Sequence, residues 1–206
     1  IYNEGYYPLS GLHLSLQREV YRLPAKQQVD KRLGFGLAVD IKEGILQDTV
    51  ALIELSVKSN VYVPGFAKTH AAKIQLAGKV QTSDGFFMDE MEYSRGYYRP
   101  DSMYMAYAKA GLNYQLPLCY PEVGINGVFY LKRIRLNIFG DFGVAAIYHY
   151  DDTIRPEYSP SVGAELYFDI NWFNAVEIPF FVRYSYCFNQ SNKTIPLEFG
   201  TPLVSF

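Results

Sequence analysis

The chain has 206 residues, enough for one domain of ordinary size or for part of a larger one. Acidic and basic residues nearly cancel, with a formal net charge of −2, so composition gives no indication of nucleic-acid binding. Aromatic residues make up 17% of the chain, which favours strands, and no apolar run reaches the ~20 residues that a membrane helix needs.

The first part of the chain alternates between apolar and polar residues, which is the pattern of β-strands. Leu12, Leu14 and Leu16, for example, are separated by single polar residues. Similar alternation recurs further along, with some irregularities. The predicted strands of this part are 11–21, 32–41, 49–61 and 70–81.

A long loop is predicted next, at 83–102, and the alternation after it is more regular. Leu166 and Phe168 lie on one face of a predicted strand, and Glu165 and Asp169 lie on the other. The predicted strands of this part are 104–116, 127–145, 162–172, 176–188 and 195–206. The total is about nine strands, each of roughly the 9–11 residues that cross a bilayer at a tilt, and no helix.

Two architectures fit a set of alternating strands: a soluble sandwich and an outer-membrane barrel. A sandwich turns one face of each sheet toward water, which suits surfaces rich in Lys and Glu. Here the polar faces carry small residues, amides and paired charges, while aromatic residues crowd the ends of the apolar faces at 168–173 and 184–188. A short connection at 171–175 also contrasts with a long one expected at 146–160. Because aromatic girdles and alternating loop lengths are typical of outer-membrane barrels, we predict an antiparallel transmembrane β-barrel.

The loop 83–102 contains the sequence "SRGYY", and the strand after next contains "FGDFG". This order resembles the bacterial surface antigen superfamily of BamA-type and TamA-type outer-membrane proteins. In that family a long extracellular loop with an arginine-glycine-aromatic motif folds back into the barrel lumen, and a Phe-x-Asp-x-Gly motif follows. The matching residues here are Arg95, Gly96, Tyr97, Phe139, Asp141 and Gly143.

The resemblance also concerns the end of the chain. The family places five strands after the loop and ends in an aromatic residue that serves as a signal for barrel assembly, and Phe206 occupies that position here. The family barrel has sixteen strands, so residues 1–206 are interpreted as the carboxy-terminal part of a larger barrel. The upstream domains are expected to be POTRA domains, a β-propeller or neither. The first residue is Ile, which also suggests a removed signal peptide or a longer parent sequence.

The alternation around 129–144 predicts which residues face the lumen. Asp141 shares its face with Arg133, Arg135 and Asn137, so its carboxylate is expected to point inward. An arginine on an inward-folded loop can form two parallel hydrogen bonds with such a carboxylate. We therefore predict an Arg95–Asp141 clamp in which Gly96 permits a tight turn and Tyr97 packs on the wall; a solvated Arg95 is the alternative.

Other charged residues on the predicted polar faces are interpreted as a lumen ladder without specific chemistry: Glu165, Asp169, Glu177 and Arg183. No catalytic pattern is evident. His13, His70 and His149 lie far apart in the sequence and lack metal-ligand spacing, and no G-x-S-x-G motif occurs. We expect no enzyme activity, cofactor or metal, and we expect Cys119 and Cys187 to be free and buried, a disulfide being the less favoured alternative.

These features predict a protein of the bacterial outer membrane, in contact with lipid and with client or partner proteins. The resemblance implies a role in assembling or translocating other proteins at that membrane. The alternative is a passive barrel that anchors a periplasmic or surface complex. A lipid hydrolase is a third possibility, but the sequence shows no nucleophile and base for it.

Overall fold

A computed structural model describes residues 10–22, 29–46, 50–82, 93–98, 104–125, 127–148, 153–173, 175–189 and 194–201. These residues form ten β-strands, and none of them is helical. No helix in these ranges is therefore long and apolar enough to span a membrane. The strands are β1 (Ser10–Tyr21), β2 (Gly34–Leu46), β3 (Val50–Pro64), β4 (Ala71–Gln81), β5 (Tyr104–Cys119), β6 (Val123–Ile125), β7 (Phe129–Tyr148), β8 (Ile154–Trp172), β9 (Val176–Cys187) and β10 (Leu197–Gly200).

The strands form one antiparallel sheet in which each long strand pairs with its neighbour in sequence. The order is β1-β2-β3-β4-β5-β7-β8-β9-β10, and β6 pairs only with β7 among the described residues. Within the described residues the sheet is open, since β1 and β10 do not pair with each other. The predicted all-β antiparallel architecture is confirmed at this level.

The two faces of the sheet differ in both burial and chemical character. The face that carries Asp141, here called the inner face, buries charged and polar side chains, among them Glu54, Glu165 and Asp169. The outer face exposes large apolar side chains along nearly every strand. Examples of these exposed side chains are Leu14, Ile41, Leu55, Leu76, Leu112, Ile138, Phe142, Val162, Phe180 and Val182.

Strand alternation produces this division, because successive side chains point to opposite faces and antiparallel pairing keeps partners on one face. The register places Asn137 opposite Glu165, and Glu165 opposite Arg183, in a row on the inner face. Ile138 and Ala164 form the neighbouring row on the outer face.

The prediction of a long loop at 146–160 is wrong. β7 continues to Tyr148, and β8 already begins at Ile154, so most of this segment is paired. Pro156 and Pro160 lie in this paired segment, and β8 pairs with β9 only from Ser161 onward. Both prolines therefore lie in the part of β8 that precedes its pairing with β9, where one side of the strand has no partner strand among the described residues. A missing N–H is tolerated at such an edge. The three-residue strand β6 was not predicted.

Two segments outside the strands lie against the inner face. Residues 93–98 belong to the predicted loop 83–102, and they contact β5, β7, β8 and β9 near the end of the sheet where β7 ends and β8 begins. Residues 29–33 belong to the connection between β1 and β2, at the opposite end of the sheet. The rest of 83–102, namely 83–92 and 99–102, lies outside the described residues.

Candidate functional site

Arg95 is the centre of a polar site on the inner face. Its Nε donates to Oδ2 of Asp141 at 2.8 Å, and its Nη2 donates to Oδ1 of the same carboxylate at 2.7 Å. The backbone N–H of Arg95 also donates to Oδ2 of Asp141 at 3.1 Å. Nη1 donates to Oδ1 of Asn113 at 2.8 Å and lies 3.3 Å from Oε2 of Glu165. The structure thus brings Arg95 and Asp141 together in the two-bond geometry of a strong guanidinium–carboxylate pair.

The pair is largely excluded from solvent. The side chain of Arg95 is 12% exposed, and that of Asp141 is fully buried. Burial lowers the pKa of the Arg95 guanidinium, but hydrogen bonds and negative charge from Asp141 and Glu165 outweigh burial and raise the pKa above its ordinary value. Arg95 therefore stays charged, and loss of either partner is expected to be costly, because the remaining charge would keep only a longer contact with Glu165 or Lys109.

An aromatic ring supports the guanidinium from one side. The Cζ of Arg95 lies 3.8 Å from the ring centroid of Phe139, within the range of a cation–π contact. Phe139 faces Gly163 across the β7–β8 pair, and a Cβ on Gly163 would come within 2.6 Å of the ring. The ring therefore occupies the space that a side chain at residue 163 would need.

Gly96 is required both by its backbone conformation and by its surroundings. Its φ angle is 84°, in the left-handed region that glycine adopts without a steric cost. An added Cβ would lie 2.4 Å from Cβ of Ser185 and 2.8 Å from Sγ of Cys187. The carbonyl of Gly96 accepts hydrogen bonds from Sγ of Cys187 at 3.2 Å and from the N–H of Ile195 at 2.7 Å. The segment is thus pressed directly onto β9 and the chain that leads into β10.

Tyr97 ties the segment to β8 and to the end of β9. Its hydroxyl donates to the carbonyl of Pro160 at 2.7 Å and accepts from the N–H of Asn189 at 2.9 Å. The backbone of Tyr97 forms an isolated bridge with Thr194. The residue is 6% exposed, and burial raises the pKa of its hydroxyl, which therefore remains protonated and able to donate.

Gly143 leaves room for residues 93–98 to lie against β7. A Cβ at this position would lie 2.4 Å from Oγ of Ser159 and 2.5 Å from Oγ of Ser94. Those two hydroxyls are hydrogen bonded at 3.0 Å. A larger residue at 143 would separate the segment from the sheet.

Glu165 and Arg183, two residues of the predicted ladder, belong to the same site as Arg95. The sequence did not indicate that they take part in this site. Glu165 accepts from Nε of Arg183 at 2.6 Å, and Nη1 of Arg183 donates to Glu198 at 2.9 Å. A chain of ion pairs therefore runs from Asp141 through Arg95, Glu165 and Arg183 to Glu198, across β7, β8, β9 and β10. The inward positions of Glu165 and Arg183 were evident from alternation, but their direct opposition required the register.

The remaining predicted residues lie elsewhere. His13 on β1 contacts Asp40, and His70 in the β3–β4 turn contacts the hydroxyl of Tyr114. Cys119 and Cys187 are both free; Cys187 is buried, but Cys119 is exposed, so its predicted burial is wrong. Cys119 follows a register shift at the end of β5, where side chains face solvent.

Phe206 and His149 lie outside the described residues. Within the described ranges, no group of three or more His, Cys, Asp or Glu side chains could hold a metal ion.

Comparisons with known proteins gave no match to a protein family, to a curated protein or to a solved structure. The resemblance to surface antigen proteins therefore rests on the sequence motifs. The geometry of the site is that of a structural tie: a largely buried arginine fixes a loop segment to the three strands β5, β7 and β8.

Proposed function

We propose that this chain forms part of the wall of a bacterial outer-membrane β-barrel of surface antigen type. The observation that carries the proposal is the inverted sheet, with charged side chains buried on the inner face and large apolar side chains exposed on the outer face. Such an outer face is unfavourable in water but is the surface that a lipid bilayer solvates.

The separation between two aromatic pairs on the outer face matches the thickness of an ordinary bilayer. Phe142 and Tyr158 pack together at one end, and Phe129 and Trp172 pack together at the other. Tyr158 and Trp172 are fourteen positions apart on β8. At ~3.3 Å per residue and a tilt of ~45°, this separation spans about 33 Å across a bilayer, close to its hydrocarbon thickness.

We further propose that the barrel assists the assembly or translocation of other proteins and has no enzymatic role. Among the described residues, β10 pairs with β9 along one edge, and no strand pairs with its other edge. An exposed strand edge can accept an extended client segment.

A passive anchoring barrel is the second candidate. The ion-pair chain from Asp141 to Glu198 favours it, because this chain links β10 to the Arg95 site and so resists opening at that edge. In this case the barrel would hold a periplasmic or surface complex and move no client.

The membrane proposal is tested by a charged substitution on the outer face. Ile138→Lys in the middle of the outer face should destabilise the protein folded in lipid vesicles by about 2–4 kcal/mol, because the ammonium would lie in hydrocarbon. Phe66→Lys is the matched control, since Phe66 is fully exposed in the β3–β4 turn, and it should change stability little. Equal effects of the two substitutions, or a wild-type protein that stays in the soluble fraction and migrates identically on gels with and without boiling, would contradict the proposal.

The role is tested by depletion of the protein in the producing bacterium. Assembly activity predicts reduced levels of other outer-membrane barrels, measured by quantitative proteomics of the outer-membrane fraction. Normal levels of those barrels, with loss of one associated complex, would favour the anchoring role instead.

A further inference from the structure

The connection between β1 and β2 returns to the inner face as a second bound segment, which the sequence did not predict. Residues 29–33 are described there, and Val29 is 7% exposed. The N–H of Val29 donates to the carbonyl of Thr69 in the β3–β4 turn at 3.4 Å. Oδ2 of Asp30 accepts from Nε2 of Gln115 on β5 at 3.3 Å.

Lys31 fastens the same segment near β1 and β3. Its ammonium pairs with Glu19 and lies 3.8 Å from the ring centroid of Tyr21 and 5.2 Å from that of Tyr62. Glu19 also accepts a hydrogen bond from the hydroxyl of Tyr62 at 3.3 Å. The five residues therefore contact β1, β3 and β5, and they cross the inner face instead of projecting beyond the end of the sheet.

The attachment on β5 is itself held in a charged cluster. Oε1 of Gln115 accepts from Nη1 of Arg135 at 2.8 Å, and Nε of Arg135 donates to Asp169 at 3.0 Å. The Arg135 guanidinium also lies 4.1 Å from the ring centroid of Tyr167. Gln115 is thus oriented by its neighbours so that its amide is available to Asp30.

We propose that residues 29–33 form an inner strap that constricts the interior of the barrel at the end opposite Arg95 and restricts the passage of ions. The inference rests on the proposed membrane barrel. Segment 93–98 occupies the interior at one end of the strands, and the inner strap occupies it at the other. An interior covered at both ends is suited to a barrel that binds client proteins at an exposed strand edge and does not let solutes pass through its interior.

The first experiment measures ion conductance of the whole barrel protein that contains residues 1–206, reconstituted in planar lipid bilayers. The double variant Asp30→Ala and Lys31→Ala removes both side-chain attachments without changing net charge, and it should raise single-channel conductance several-fold. The control is Lys68→Ala with Glu122→Ala, which removes one charge of each sign from exposed connections at the same end. The control should conduct like the wild type. An inserted, correctly folded strap variant with unchanged conductance would overturn the inference.

A second experiment does not depend on the membrane proposal. In Val29→Cys, the new thiol should react with a maleimide several-fold more slowly than the exposed native Cys119 in folded protein held in detergent. Adding Asp30→Ala and Lys31→Ala should remove this protection. If Val29→Cys reacts as fast as Cys119 in the otherwise native chain, the strap is not held on the sheet and the inference fails. A protein that does not enter bilayers but still protects residue 29 would instead contradict the proposed membrane function.

Discussion

The β1–β2 pair and the β7–β8 pair have the same alternation but very different burial. All residues from Gly11 to Arg22 are exposed, and the His13–Asp40 contact has side chains that are 54% and 21% exposed. On β7 and β8, by contrast, Asp141, Glu165 and Asp169 are buried. Segment 93–98 covers Asp141 and Glu165 through Arg95, and Asp169 is enclosed by Arg133 and Arg135. Alternation therefore decides which face a side chain takes, while the partners that meet on that face decide whether the side chain is excluded from water.

The largest expected effect comes from breaking the pair that this segment carries. Asp141→Ala should destabilise the protein by about 3–5 kcal/mol, because it leaves the buried Arg95 guanidinium without its carboxylate. Asp40→Ala, in the exposed His13–Asp40 contact near the β1 edge of the sheet, should cost only about 0–1 kcal/mol. Denaturant unfolding in detergent micelles measures both.

The exchange Arg95→Glu with Asp141→Arg separates pairing from general disruption. Each single substitution should destabilise, and the double exchange should recover part of the loss. Purely additive losses would show that the two residues do not act as a pair, and similar losses for Asp141→Ala and Asp40→Ala would remove the contrast between the two regions.

A smaller effect is expected from Gly96→Ala, which tests how closely the segment approaches β9. The left-handed backbone and the overlap with Ser185 and Cys187 should together cost about 2–4 kcal/mol. Gly127 has a φ of 76° but no neighbouring atom within 4 Å of an added Cβ. Gly127→Ala should therefore cost only the backbone strain, about 1–2 kcal/mol. Thermal or denaturant midpoints that shift equally for both variants would refute the close approach.

The smallest effect should come from Tyr97→Phe, which removes one hydroxyl and keeps the ring. The carbonyl of Pro160 and the N–H of Asn189 would lose their buried partner, at a cost of about 1–2 kcal/mol. Tyr158→Phe on the exposed outer face is the control and should be nearly neutral. Hydrogen exchange at Asn189 gives a local readout, and unchanged protection there would argue against the tie.

Much of the site could be predicted because its parts lie in short, regular patterns. Alternation along β7 was sufficient to predict that Asp141 faces inward. The arginine-glycine-tyrosine motif was sufficient to identify the loop 83–102 as the segment that meets it. Glu165 was recognised as inward-facing but not as a partner of Arg95, because the partner depends on register and on where the loop crosses the sheet. The start of β8 at Ile154 was not predicted, because the alternation that defined this strand was traced only from Val162 onward.

The sequence by itself determined that this protein is a sheet of long antiparallel strands with one apolar and one polar face. The reason is that the period of two acts residue by residue and needs no distant partner. Only the tertiary structure decided that segment 29–33 also lies on the polar face and that Glu165 and Arg183 extend the predicted Arg95–Asp141 pair. Those outcomes depend on contacts between residues far apart in the chain, such as Arg95 with Glu165 and Asp30 with Gln115, and no local pattern specifies such contacts.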